Sequence, residues 1–384
     1  MTFTLDHTTL TKEQFLLLLA SRIQLTEQEE EAVKNILKDG IEMPKLIALA
    51  VRHKVLQLIT PHLIRLDEGK HISTSYKFLL HYNYIGNRQK NVERFKEFQR
   101  LLNLFKRSKM KVIPLKGALL TPLIYKDYGL RMMSDIDFLI RPEDRKKASQ
   151  LLKDEGYTIG KYDWVKDEEI PVNREEEMMW RMNAGNLYSH IKRSGEEFLK
   201  VHRVDFSYDV ELKKDYKATG ALLEAAEENE LFDTTPYLLQ PLDFLIHLAF
   251  HLYKEATNVQ YVYLHADLNM IKFCDVREYM LYLEKKGQLD WDALQKRAIE
   301  VGANEALYYT FTFLDELYHE HYVDKIKLLH INDQSFLEGY GMNDYGSSKV
   351  WKKSFVERFF SLDNRDEIEE IPEVQLFPER GNNR

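Results

Sequence analysis

Two aspartates one residue apart on an apolar strand constrain this chain more than any other feature. In Ser134-Asp135-Ile136-Asp137-Phe138-Leu139-Ile140, alternate strand residues share a face. Asp135 and Asp137 therefore present two carboxylates side by side while Ile136 and Phe138 enter the core. Carboxylates that close repel each other unless a cation lies between them. Their oxygens suit Mg2+, which takes a few carboxylates and leaves its remaining positions to water and phosphate. Asp-x-Asp alone is common at solvated strand starts, so its meaning here comes from what precedes it. Val112, Ile113 and Leu115 form a short apolar strand running into Lys116-Gly117, fewer than twenty residues before the pair. A glycine at a strand-to-helix turn lets backbone N–H groups approach phosphate closely.

Lys116-Gly117, then Gly129-x-Arg131, then Asp135-x-Asp137 with apolar residues after it, resembles the signature of the DNA polymerase β-type nucleotidyltransferase superfamily. More narrowly, it is similar to the bacterial branch of uncharacterised nucleotidyltransferases. A Gly-Ser or Gly-Gly pair is usual in the superfamily, whereas the narrower branch has Lys-Gly and a small residue, here Ala118. The resemblance covers roughly Gln14 to Tyr318 and implies an α+β fold, a small mixed-sheet nucleotidyltransferase core flanked by N-terminal and C-terminal helical regions. The expected divisions are 1–108 for the N-terminal helices, 109–235 for the core, 236–330 for the C-terminal helices and 331–384 for an irregular tail.

The resemblance further implies Mg2+-dependent transfer of a nucleoside monophosphate from a nucleoside triphosphate, by expectation ATP, to a small-molecule or peptide acceptor, with release of pyrophosphate. Asp135 and Asp137 would hold the metal. Gly117 would open the backbone to the phosphates with Lys116 adding charge, and Arg131 would pair with the triphosphate or brace the aspartates. The superfamily's third carboxylate belongs to the second strand of a later hairpin, where the branch commonly reads acid-x-His. Here that triplet is Lys200-Val201-His202. An ammonium there would oppose a divalent cation at close range or else meet a phosphate. Asp205 lies nearby but by parity faces away from Lys200 and His202, so that only a bulge would bring it round. The catalytic expectations thus rest on Asp135, Asp137, His202 and Asp205, and the nucleotide-binding ones on Lys116, Gly117, Arg131 and Lys200. The lysine leaves a second reading open: a catalytically impaired nucleotidyltransferase-like module that binds a nucleotide or a partner protein.

Composition narrows the partners. Across 384 residues, 62 acidic against 54 basic side chains give a net charge of −8, which argues against an extended, sequence-indifferent grip on nucleic acid. The single cysteine, Cys274, excludes an intrachain disulfide and a Cys-rich zinc site. It lies in an apolar helical stretch and is expected in the core. Phe15 to Ala20 is too short to span a bilayer and lacks a basic leader, so a cytoplasmic protein without membrane contact is expected. His247 and His251 have the four-residue spacing of a zinc pair, but Leu248 stands where a metalloprotease needs Glu.

The remaining elements follow from local signals. Thr11 with Gln14 and Thr26 with Glu29 are capping boxes, and Gly40 and Pro44 end one helix and open the next. A long helix is predicted from about Ser75 to Ser108, with Phe95, Phe98, Leu101, Leu102 and Phe105 on one stripe. Its interleaved basic residues, Arg94 among them, read as a solvated face. A helix over Pro142 to Glu155 leads to a returning strand over Tyr157 to Lys161, and the acidic Asp163 to Glu177 reads as an exposed connection or lid. Strands are expected over Asn186 to Ile191 and Phe198 to Phe206, joined at Ser194-Gly195. Helices resume from Leu238 to Tyr318, where Asp275 either lines the cleft or packs and Asp290 caps the helix at Trp291. A last short helix over Val350 to Phe360 precedes a charged, mobile tail from Asp363 to Arg384.

Overall fold

Both capping boxes form as written. Thr11 and Thr26 accept from the amides of Gln14 and Glu29, whose side chains return the bond, and they open α1 (Lys12–Ala20) and α2 (Glu27–Lys38). A computed structural model describes residues 10–69, 71–183, 185–211, 215–342 and 346–368. After α3 (Met43–Arg52) and α4 (Leu56–Leu66) comes the long helix α5 (Thr74–Arg107), capped by Ser73. A strand-rich middle follows: β1 (Ile113–Pro114), α6 (Gly117–Leu120) extended by a π turn over Thr121–Tyr125, β2 (Ile136–Leu139), α7 (Arg145–Asp154) and β3 (Thr158–Asp163). It continues with β4 (Glu168–Pro171), α8 (Arg174–Asn183), β5 (His190–Arg193) and β6 (Val201–Ser207). Then come α9 (Lys217–Ala225), α10 (Pro241–Thr257), α11 (Val259–Tyr263), α12 (Met270–Lys285), α13 (Trp291–Glu300), α14 (Asn304–Tyr318) and α15 (Phe355–Phe359).

The fold is α+β. Six strands form one mixed sheet in the order β1-β2-β6-β5-β3-β4, in which β2 and β6 run parallel and the other pairs antiparallel. The predicted aromatic stripe of α5 covers one face of it. Phe98 and Phe105 meet Phe138 at 5.9 and 5.2 Å between ring centres, and Phe105 meets Phe206 at 5.9 Å. Burying Phe138 and Phe206 against α5 fixes the register, because strand residues one position away must face the opposite side. Asp137 and Asp205 are those residues.

Several boundaries differ from expectation. Glu168–Pro171 pairs with β3 as an edge strand and α8 begins at Arg174, so the acidic stretch is a hairpin and a helix start rather than a plain connection. Glu168 and Glu175 are exposed, whereas Glu176 is half-buried and accepts from Tyr188 OH at 2.6 Å, a partner that composition does not reveal. The helix after Pro142 begins as a 3-10 turn over Pro142–Asp144 before α7. Residues 363–368 do not trail away. Asn364 donates to Arg358 O at 2.9 Å and to Asp267 at 3.2 Å, and Glu367 accepts from the amides of Lys352 and Lys353. The rest of the expected tail, 369–384, lies outside the described residues. Cys274 is buried as expected, and no helix among the described residues is long and apolar enough to cross a membrane.

Candidate functional site

β1 delivers the chain to the site edge, where Leu115 N donates to Asp137 O at 3.0 Å. Lys116 then takes φ 48°, ψ −125°, a strained conformation for a side-chain-bearing residue that occurs mainly where function fixes it. Its ammonium sits 3.1 Å from Asp137 Oδ1. A Cβ at Gly117 would lie 2.3 Å from an Arg131 guanidinium nitrogen. Glycine is required there because Arg131 packs against it. The next amides are already spent within the turn, with Ala118 donating to Leu115 O and Leu119 and Leu120 to Lys116 O. The backbone therefore offers phosphate less than the glycine suggests.

The parallel pairing of β2 and β6 sets Asp137 opposite Asp205. Asp135, Asp137 and Asp205 each bring a carboxylate oxygen to within 4.8 Å of the others, the one such group of three or more acid, His or Cys ligands among the described residues. No bulge is involved. The parity assignment of Asp205 away from His202 holds, but the cluster lies on the Asp205 side of the sheet. His202 is turned toward α5, where Glu97 and Arg94 are its charged neighbours. Lys200 is exposed ahead of β6, in the turn where its carbonyl accepts from Ser194 N. Neither joins the cluster. The Lys200-x-His202 triplet and the carboxylate are different positions of one hairpin, which motif spacing alone does not separate.

Burial first, then the charges of Asp135 and Asp205, push the Asp137 carboxyl up to about 7 against the pull of Lys116. Three acids that close are an arrangement a divalent cation resolves, and all-oxygen donors fit Mg2+. The donor set is thus one that could hold a divalent cation. Burial lowers the Lys116 ammonium, yet Asp137, Glu255 and Asp135 outweigh it and hold the group above its ordinary range.

Arg131 is fixed from two sides. Its Nε and one terminal nitrogen donate to the two Asp275 oxygens at 2.9 and 2.6 Å, and Tyr125 OH, delivered by the π turn, donates to the same carboxylate at 2.9 Å. Its carbonyl is gripped by Asn91 (2.8 Å) and Asn87 (3.3 Å) of α5, which also hold Tyr128 O and Gly129 O at 2.8 Å. Asp275 accordingly lines the cleft and braces Arg131. Arg94, expected on a solvated face, is buried beside Asp135 and donates to Asn91 Oδ1 at 2.9 Å.

A cleft opens over Asp135 and Asp137. Its other walls carry Lys54, Glu255 and Lys272, none of them singled out by motif, and His251, which the sequence showed only as half of a rejected zinc pair. Glu255 pairs with Lys272 at 2.5 Å and with His251 at 3.5 Å. The signal for these lay in the charged residues of otherwise apolar helices, such as Lys254-Glu255 at the end of α10 and Lys272 in α12. His247 and His251 do not belong to a ligand cluster among the described residues.

Five histidines, His53, His62, His190, His202 and His247, are buried, and burial pulls each below its ordinary value, His190 and His202 to about 4. Below pH ~6.5 the unfolded chain binds protons that the folded chain refuses, at ~1.4 kcal/mol per group per pH unit. Stability is therefore full above that pH and lost as it falls toward 4. The raised carboxyls of Asp137, Glu278 and Glu316 work in the opposite direction but are three groups against five. The Tm at pH 5.5 is expected at least ~5 °C below that at pH 7.5, and calorimetry at the two pH values checks it.

Comparison with known protein families matches residues 39–319 to the family described as "Uncharacterised nucleotidyltransferase". No curated protein matches the chain.

Proposed function

Because the chain belongs to the uncharacterised nucleotidyltransferase family, we propose that it moves a nucleoside monophosphate from a nucleoside triphosphate, ATP in the first instance, to a small-molecule or peptide acceptor. The observation that carries this is the Asp135–Asp137–Asp205 cluster, whose oxygens lie within 4.8 Å of one another where two parallel strands pair, with Asp135 and Asp137 lining a cleft. The order of motifs around it supports a polymerase β-type core.

Asp135, Asp137 and Asp205 would hold Mg2+. That ion, when bound, supplies charge stabilisation to the transferring phosphate and its leaving group. Lys116, next to Asp137, meets a phosphate oxygen of the nucleotide. Arg131, held by Asp275 and the α5 asparagines, keeps the loop before β2 in place, so that the aspartates meet the α-phosphate in one geometry. An acceptor hydroxyl oxygen attacks the α-phosphorus in line. The new P–O bond forms, the bridging bond to the β-phosphate breaks, and pyrophosphate leaves with the electron pair. Asp205 takes the hydroxyl proton.

The Lys116–Asp137 ion pair favours a second reading, a nucleotide-binding module in which this internal cation stands in for a metal ion. Both readings predict stabilisation by ATP with Mg2+, of ~2.7 kcal/mol at a hundredfold excess over Kd. Pyrophosphate release from ATP with Mg2+ across a panel of acceptors, abolished by Asp137→Ala, identifies the enzyme. Stabilisation without turnover identifies the module, and neither effect eliminates both.

A further inference from the structure

A second, partly open pocket lies on another face of α10 from the one that lines the carboxylate cleft. It is lined by Phe250, Tyr253, Phe336 and Tyr340 together with Glu211 and Glu305. The Tyr253 and Phe336 rings stand at 90° with centres 6.2 Å apart, making an aromatic corner. Glu305 accepts from Tyr253 OH at 3.4 Å. A Cβ on Gly302, three residues before Glu305, would come within 3.9 Å of Glu211 Oε1. Both carboxylates thus gather where α13 turns into α14, beside the aromatic corner. Ring faces backed by carboxylates attract a cation, and above all an alkylammonium group whose weak hydration makes it cheap to enclose.

Lys254 connects this cavity to the cluster. It lines the cavity, while His251 and Glu255, its neighbours on α10, line the carboxylate cleft. Among the described residues its ammonium makes no hydrogen bond or ion pair, and burial followed by the charge of Lys116 brings it down to about 8, with Asp137 near enough to pull the other way. Phe336 and Tyr340 also lie beyond residue 319, where the family match ends, so this wall is built from sequence outside the matched region.

We propose that the cavity is the acceptor subsite and takes a small ammonium-bearing alcohol, its cationic end against the aromatic corner and Glu305 and its hydroxyl end at Lys254. This rests on the nucleotidyl-transfer reading for the word acceptor, but not for binding itself. The test is titration of the full chain without nucleotide, using choline and its neutral carbon isostere 3,3-dimethylbutan-1-ol as probes. It is followed by calorimetry and by the fluorescence of Trp351, which stacks on Tyr340 at 4.2 Å. Choline is expected to bind at least ~10-fold tighter than the isostere. Phe336→Ala and Glu305→Gln should each remove most of that preference, the second without an effect on folding. Equal affinity for the two alcohols, or no choline binding by about 50 mM, overturns the proposal. Choline binding in a protein that never releases pyrophosphate leaves the subsite standing and defeats only the enzymatic reading.

Discussion

Asp205→Asn is expected to lower Mg2+-dependent pyrophosphate release from ATP by ~10³-fold, since one of the three cation-holding oxygens changes from a charged to a neutral donor and several kcal/mol of charge stabilisation are lost. The same substitution should leave the Tm of the metal-free protein unchanged or raise it. Removing one of three facing negative charges relieves repulsion, and Lys116 keeps its partner Asp137. Activity and stability moving in opposite directions distinguishes a ligand from a structural residue. Lys200→Ala provides the contrast, because Lys200 is exposed and its loss should alter the rate by less than about twofold. A fully active Asp205→Asn protein, or an inactive Lys200→Ala one, would sink the assignment.

Asp275→Ala should be among the most destabilising single changes in the chain, by ~3–5 kcal/mol. It strips both charge-assisted bonds from the buried Arg131 and the acceptor from Tyr125 OH, leaving an enclosed guanidinium with only the more distant charge of Asp135 to oppose it. The double variant Arg131→Met, Asp275→Leu removes both charges and should recover much of that loss. Urea denaturation of the three proteins measures the difference. A double variant less stable than Asp275→Ala would mean that the unpaired Arg131 guanidinium contributes more through its packing beside Gly117 than its burial costs. Because Arg131 also fills the space beside Gly117, the single variant is expected to weaken nucleotide binding as well.

The Asp135-x-Asp137 pair is legible in the sequence because strand parity acts over two residues and Ile136 and Phe138 leave no choice of face. Its partner Asp205 is harder to read, since parity relates residues within one strand but does not say which side of a later strand meets the first. Phe206 carried the answer: it packs with Phe138 against α5, which obliges Asp205 to look the other way with Asp137. Long-range pairs leave fainter marks. Asp275 was visible as an acid in an apolar helix, but its partner Arg131 lies 144 residues away. Asn87, Asn91 and Arg94 occupy one side of α5 at helical spacing. Their polarity suggests solvent, whereas they are buried because the loop before β2 brings its own carbonyls to be satisfied.

The parallel pairing of β2 with β6 also bears on how the chain emerges during synthesis. Asp135 and Asp137 leave the ribosome nearly seventy residues before Asp205 and well over a hundred before Asp275. Through that interval β1 and β2 have neither the inner strand of their sheet nor the brace for Arg131. The nascent protein therefore carries its acidic pair in an unfinished fold, gaining the third carboxylate with β6 and the brace for Arg131 only after α12 has been made. Any fragment ending before residue 205 carries the motif without the third carboxylate, and one ending before 275 lacks the brace for Arg131.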